Sequence, residues 1–366
     1  MTTAASGPNP ARTVQLVGSV PLPTTEAVFR LLAGALGTLA KRLPDGETGK
    51  RAYWITSQAY LLARHPQFEP AGHDWDPDSG DVPESGAPKY RLKAGVAADA
   101  VKLPALGYAA AALDSYALFA RLKREGVIDR SVRFQVSLPT PLAFIAGLID
   151  PPSQMAVAPA FEAAILSELR DILGGIPHRE LALQWDVCLE IFILEGLRQV
   201  YFPQPFEGCV ARLIALGNAV PAAVELGYHF CYGDFRHKHG VEPKDTALMV
   251  EMTNALVAGL ARPVSWVHYP VPRDRSDDAY YAPLARLELP PESEVYLGLV
   301  HNTDGLEGSR RRLEAARRHR AAFGVATECG FGRRPAASLP QLLKVHADLA
   351  RGVRPEPSAG AARRGS

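Results

Sequence analysis

The chain has 366 residues, 47% of them hydrophobic and 22% charged, which is enough apolar material for one large domain or two modest ones. Forty basic residues against 39 acidic ones leave a formal net charge of +1, so no field favours nucleic acid or an anionic membrane surface, and neither partner is expected. The start lacks a charged n-region followed by an apolar h-region, no apolar run is long enough to cross a bilayer, and four cysteines are too few for a disulfide framework, so a cytoplasmic globular protein is expected.

Residues 1–12 read as a flexible leader, and the first β-like run follows at 13–19. Thr24-Thr25 then caps a helix that begins Glu26-Ala27-Val28-Phe29. A second β-like run spans 40–45, and the stretch 46–130 is far too long for a single connection between strand and helix. It is expected to hold two helices around an irregular lobe at 65–93, an extended excursion between strands two and three that covers one end of the fold. Further runs at 131–138, 180–187, 225–231, 263–269, 294–301 and 323–328 alternate with helical periodicity, including a helix over 158–173 that stops at Gly174-Gly175. Gly308-Ser309 precedes a helix over 310–323 that carries Arg310, Arg311, Arg312, Arg317, Arg318 and Arg320, read as a solvated outer face. The tail 352–366 reads as disordered.

Eight β-like runs alternating with helices imply parallel pairing, and several runs, such as Val14-Gln15-Leu16-Val17, are apolar on nearly both faces. The expected fold is therefore α/β, a single (β/α)8 barrel over 13–351. An open doubly wound sheet would want a Gly-x-Gly-x-x-Gly turn after the first strand, and none is there.

In such a barrel the C-terminal strand ends face one mouth, so residues ending the runs can meet. Four of those ends carry a His or Cys: Tyr228-His229-Phe230-Cys231, Trp266-Val267-His268-Tyr269, Leu299-Val300-His301-Asn302 and Thr327-Glu328-Cys329-Gly330. His229 and Cys231 are alternate residues and share a face. With Cys329 they offer an imidazole and two thiolates, a soft donor set that selects Zn²⁺ over Mg²⁺ or Ca²⁺.

The order of these motifs resembles the C-terminal barrel of cobalamin-independent methionine synthase, in the superfamily that also includes uroporphyrinogen decarboxylase. The resemblance rests on Leu16-Val17-Gly18-Ser19-Val20-Pro21, Gly46-Glu47, Leu183-Gln184-Trp185-Asp186, His229-Phe230-Cys231-Tyr232, Val300-His301-Asn302 and Glu328-Cys329-Gly330, and runs from about residue 13 to 350. It implies zinc held by His229, Cys231 and Cys329, with His268 standing where the family has a Glu ligand. Two imidazoles and two thiolates would leave the ion less neutralised, hence a stronger Lewis acid; alternatively His268 merely packs, and zinc is bound by three residues and water. It also implies an amino acid thiol such as homocysteine bound through Ser19, Glu47 and Asp186, two carboxylates for the ammonium group and a hydroxyl for the carboxylate. His301 would protonate the leaving group, with Asp304 orienting or charge-stabilising it.

The implied function is a zinc-dependent methyl or alkyl transfer to a thiol, with two alternatives: a metal-independent decarboxylase or lyase of the same superfamily, and a non-catalytic zinc-stabilised scaffold or binding partner. The small-molecule thiol would be joined by a methyl-carrier cofactor or protein. The family's full-length members have a second, N-terminal barrel, and this chain reads as the catalytic half alone. The family's Trp-containing segment for the folate donor has no counterpart in Trp75 to Lys93, which points to another methyl carrier such as a corrinoid, and the His268 change implies a specialised reaction.

Overall fold

The computed structural model describes residues 12–53, 55–72, 88–233, 239–332 and 334–353. The expected leader, Arg12 apart, and all but Gly352 and Val353 of the expected tail lie outside the described residues, as do residues 73–87 of the expected lobe.

In chain order the strands are β1 (Arg42–Pro44), β2 (Phe68–Pro70), β3 (Tyr90–Leu92), β4 (Arg133–Pro139), β5 (Leu181–Val187), β6 (Glu225–Phe230), β7 (Trp266–Pro270), β8 (Glu294–Val300) and β9 (Gly324–Thr327). The helices are α1 (Thr25–Leu36), α2 (Thr56–Ala63), α3 (Tyr108–Arg124), α4 (Pro141–Leu148), α5 (Pro151–Gly175), α6 (Leu189–Leu194), α7 (Pro205–Asn218), α8 (Ala247–Gly259), α9 (Asp278–Tyr281), α10 (Gly305–Arg317) and α11 (Leu339–Ala350). Seven strands form one curled parallel sheet in the order β1-β4-β5-β6-β7-β8-β9, and the helices pack around it. No helix among the described residues is long and apolar enough to cross a membrane.

The expected first strand, 13–19, is seen only as isolated bridges. Val14 bridges both Ala40 and Val325, at opposite edges of the sheet, and Ser19 bridges Gly46. The physical reason lies in what the backbone carbonyls meet. Gln135 donates to Leu16 O at 2.8 Å and to Val17 O at 2.9 Å, Gln184 donates to Val17 O at 2.7 Å, and Ser137 Oγ donates to the same oxygen at 3.0 Å. Buried carbonyls need partners, and interior amides supply them here in place of a regular ladder. Gln15 joins the same network by donating to Gln135 Oε1 at 2.7 Å.

Below that polar layer, at the N-terminal ends of the strands, sits a charge plug. Arg42 is 3% exposed and reaches Glu225 at 2.5 Å and Glu294 at 2.7 Å, while Lys41 and Arg133 serve the same two carboxylates. Its guanidinium stacks 4.1 Å from the centre of the Trp266 ring, whose other neighbour is Gly227. A Cβ at Gly227 would fall 1.9 Å from that ring. Gly227→Ala is therefore expected to destabilise the fold by roughly 1–3 kcal/mol, read from urea denaturation.

The excursion between β1 and β4 holds α2, the antiparallel β2–β3 pair and α3, matching the two expected helices. It is tied down from α5: the Glu168 carboxylate accepts the N–H groups of Leu106 (2.6 Å), Gly107 (3.1 Å) and Ala109 (2.6 Å), capping the start of α3.

The expected helix over 158–173 is the later part of α5, which starts at Pro151 with Asp150 as its cap. The arginine-rich helix also starts earlier, at Gly305, and ends at Arg317. Its expected solvated face needs one correction: Arg312 is 1% exposed and bonded on all sides, because the half-buried Asp304 at the helix start supplies its counter-charge.

Candidate metal centre

Parallel register places Asp186, His229 and His268 side by side across β5, β6 and β7, near the strand ends where the sheet opens. Cys231 follows His229 by two residues, and its N–H donates to Val187 O at 2.9 Å, which keeps the chain in line with β5 just past the end of β6. Cys329 follows β9, and its carbonyl accepts from the Thr327 hydroxyl at 2.5 Å, which sets the turn. Together these constraints bring His229, Cys231 and Cys329 within 4.8 Å of one another.

The spacing suits a tetrahedral ion. Two Zn–S bonds of about 2.3 Å at a tetrahedral angle set their sulfurs about 3.8 Å apart, and an N–S pair about 3.6 Å apart. Cys231 Sγ and Cys329 Sγ are 3.8 Å apart, and Cys329 Sγ lies 3.8 Å from His229 Nε2. Burial and the neighbouring His268 push the His229 pKa well down, so its imidazole is neutral and able to ligate. The Cys231 thiol is pushed well up, first by the Cys188 sulfur beside it and also by burial, which a hydrogen bond to Cys329 and the Gly233 N–H only partly offset. Burial thus favours the neutral forms of the Cys231 thiol and the His229 imidazole, and a bound cation would draw the proton off the thiol.

His268 lies next to this group and outside it. Its Nδ1 is 2.7 Å from His229 Nδ1, and its Nε2 is 2.9 Å from Thr327 O, so both ring nitrogens are already engaged. Burial lowers its pKa to about 4.

His301 sits after β8 with Nε2 donating to Val271 O at 2.8 Å. The carboxylate facing its Nδ1 is Glu328, at 3.5 Å, and Arg334 holds the other Glu328 oxygen. Burial lowers the His301 pKa and Glu328 opposes that effect. Burial would raise the Glu328 pKa, but His301 and Arg334 outweigh it and keep the carboxyl low. Asp304 instead forms a two-pronged pair with Arg312, at 2.6 and 2.9 Å, and Arg312 also donates to Leu299 O and Arg273 O.

Ser19 braces the turn after Cys329: its hydroxyl accepts the Gly332 N–H at 3.2 Å and its carbonyl the Phe331 N–H at 2.7 Å. A Cβ at Gly330 would fall 2.3 Å from Ser19 Oγ, so this approach needs a glycine. Glu47 adopts a left-handed backbone (φ 49°), unusual for a side chain with a Cβ, and its carboxylate lies against Gly18. It lines a small cavity with Asp45, Arg51, Tyr108 and Ser137. Asp186 accepts from Gln184 at 2.9 Å.

Three residues with a place in this arrangement were missed by sequence reasoning. Glu328 carried a signal, since it directly precedes Cys329 at the end of a β-like run. Cys188 carried a weaker one, two residues past Asp186. Asp45 was legible only in space: it accepts from Arg51, Ser115 and the Glu47 N–H, fixing the turn that presents Glu47.

Comparison with solved structures finds the same fold. One is a B12-independent methionine synthase from Shewanella sp. W3-18-1 in complex with selenomethionine, with a TM-score of 0.60, 13% identity, and coverage of 93% of this chain and 98% of that one. Another is a candidate vitamin-B12-independent methionine synthase from Listeria monocytogenes, with a TM-score of 0.55, 13% identity, and coverage of 96% of this chain and 100% of that one. Neither a scan against protein-family models nor a search of curated proteins finds a match.

Proposed function

We propose that this chain is a zinc-dependent methyltransferase acting on the thiol of a homocysteine-like amino acid. The observation that carries the reading is the gathering of His229, Cys231 and Cys329 at tetrahedral spacing, from two separate strand ends, in a fold shared with B12-independent methionine synthases. The closure of the sheet into an eight-membered barrel belongs to the same reading, supported by the bridges from Val14 to both edges.

His229 Nε2, Cys231 Sγ and Cys329 Sγ would hold the metal. Zinc there supplies the charge that keeps a substrate thiol ionised at neutral pH, where a free thiol with a pKa of roughly 8.5 is mostly protonated. Asp186, beside His229 in register, and Glu47 would be the carboxylates that meet an ammonium group, and Ser19, which braces the turn after Cys329, the hydroxyl that meets the carboxylate. In the transfer a sulfur–carbon bond forms as the bond between methyl group and carrier breaks; a folate nitrogen takes up a proton as it leaves, whereas a corrinoid cobalt keeps the electron pair and needs none. His301 would deliver that proton from Nδ1, since its Nε2–H is committed to Val271 O. Glu328 faces Nδ1 and favours the proton there. The carrier would be a methyl-tetrahydrofolate or a methyl-corrinoid. A cytoplasmic location fits chemistry that needs reduced thiols.

Purified protein is expected to hold about one zinc per chain and to convert homocysteine to methionine with one of those two donors, an activity lost on chelation and restored by zinc. Metal content and product mass report the outcome. Tight zinc binding with no thiol alkylation from either donor would defeat the reading, and turnover of a carboxylated substrate by zinc-free protein would favour the decarboxylase or lyase class.

A further inference from the structure

We infer that His268 is a positioning residue that fixes the ring state of His229, so that the metal centre has three protein ligands and an open fourth position. This rests on the zinc-site reading above, and deepens it.

Thr327 O can only accept, so the 2.9 Å contact to it requires a hydrogen on His268 Nε2. A neutral imidazole with Nε2–H has a lone pair on Nδ1. The 2.7 Å contact between the two Nδ1 atoms then requires the hydrogen to be on His229 Nδ1. That leaves the lone pair of His229 on Nε2, the atom 3.8 Å from Cys329 Sγ. A run of hydrogen bonds from a backbone carbonyl through one ring to the next thus aims a lone pair at the two sulfurs. Metal-ligating histidines commonly use their second ring nitrogen in this way, with a carboxylate or carbonyl as acceptor. Here a second imidazole relays the carbonyl.

The geometry also argues against His268 as the fourth ligand. It is fully buried, it is outside the group whose donor atoms lie within 4.8 Å of one another, and ligation through either nitrogen would break one of its two hydrogen bonds. Three protein ligands with an open position is the pattern of catalytic zinc sites, where substrate takes the fourth place.

The first test is histidine ring NMR on the ¹⁵N-labelled wild type before and after zinc addition. The metal-free protein should show hydrogen on Nδ1 of His229 and on Nε2 of His268, and zinc should shift His229 Nε2 while both His268 nitrogens keep their pattern. The second is zinc affinity by chelator competition. His268→Leu removes both hydrogen bonds and is expected to weaken zinc about 10–100-fold, the usual effect of losing an outer-shell partner. His268→Gln offers one acceptor and one donor and should stay within a few-fold of wild type. A direct His268–zinc bond in the spectra, the opposite ring state at His229, an equal loss in both variants, or a wild type that takes up no zinc would each overturn the inference. Zinc uptake with the expected ring states but no methyl transfer would remove only the functional reading.

Discussion

Replacing Cys329 with serine is expected to weaken zinc binding by about two to three orders of magnitude and to end thiol alkylation. The size follows from the total. Structural zinc sites with four protein ligands bind with roughly 10–16 kcal/mol, so one ligand's share is about 2.5–4 kcal/mol. A serine hydroxyl stays neutral where a thiolate would carry half the compensating charge, which makes the loss electrostatic as much as geometric. Cys231→Ser should behave alike, because its sulfur stands 3.8 Å from Cys329 Sγ and shares the ion. Cys209→Ser is the control: that thiol is buried in α7, and is expected to leave affinity within a few-fold. Chelator competition gives the affinities and homocysteine methylation the activity. Wild-type affinity in Cys329→Ser would remove the metal centre from consideration.

The strand ends made this centre legible. His229 and Cys231 sit two residues apart on a run that ends a strand, and parallel pairing carries such ends to one side of a sheet, so their proximity to Cys329 follows from pattern and topology. The contacts of His268 were not legible, because whether its two nitrogens meet His229 Nδ1 and Thr327 O depends on where the ring points. Sequence places a residue on a face; it does not choose the partner of each atom. The same limit applies to His301. Its neighbour three residues on, Asp304, was the natural candidate by proximity in the chain, yet the carboxylate that faces its ring is Glu328, brought over from β9.

The first β-like run shows a different kind of limit. Its apolar pattern predicts a strand, and its position between the sheet edges agrees with that, but glutamine side chains from β4 and β5 take the carbonyls that a ladder would use. Hydrophobic patterning cannot report this, since Gln135 and Gln184 look like stray polar residues in buried strands until their partners are known. They belong to a polar layer between the charge plug around Arg42 and the candidate metal centre above.

Asp304→Asn is expected to destabilise the protein by about 3–5 kcal/mol, the usual cost of leaving a buried charge without its partner. Arg312 is 1% exposed, and although two backbone carbonyls would remain to it, neither carries a compensating charge. Replacing both members, as in Asp304→Asn with Arg312→Met, should recover much of the loss, since no charge is then stranded. The pair also sets a pH dependence. Burial would raise the Asp304 pKa, but hydrogen bonds from Arg312 and its charge outweigh that and hold the folded carboxyl below its ordinary value. A depressed folded pKa means the unfolded chain binds the proton first, so the stabilisation is complete above about pH 4 and is lost as the pH falls further through the folded value. Urea denaturation at pH 7 and at pH 3 should show the difference between wild type and Asp304→Asn narrowing in acid. Unchanged stability at pH 7 together with an altered pH profile of methyl transfer would refute the ion-pair account and return Asp304 to the His301-orienting role that its place in the sequence suggests.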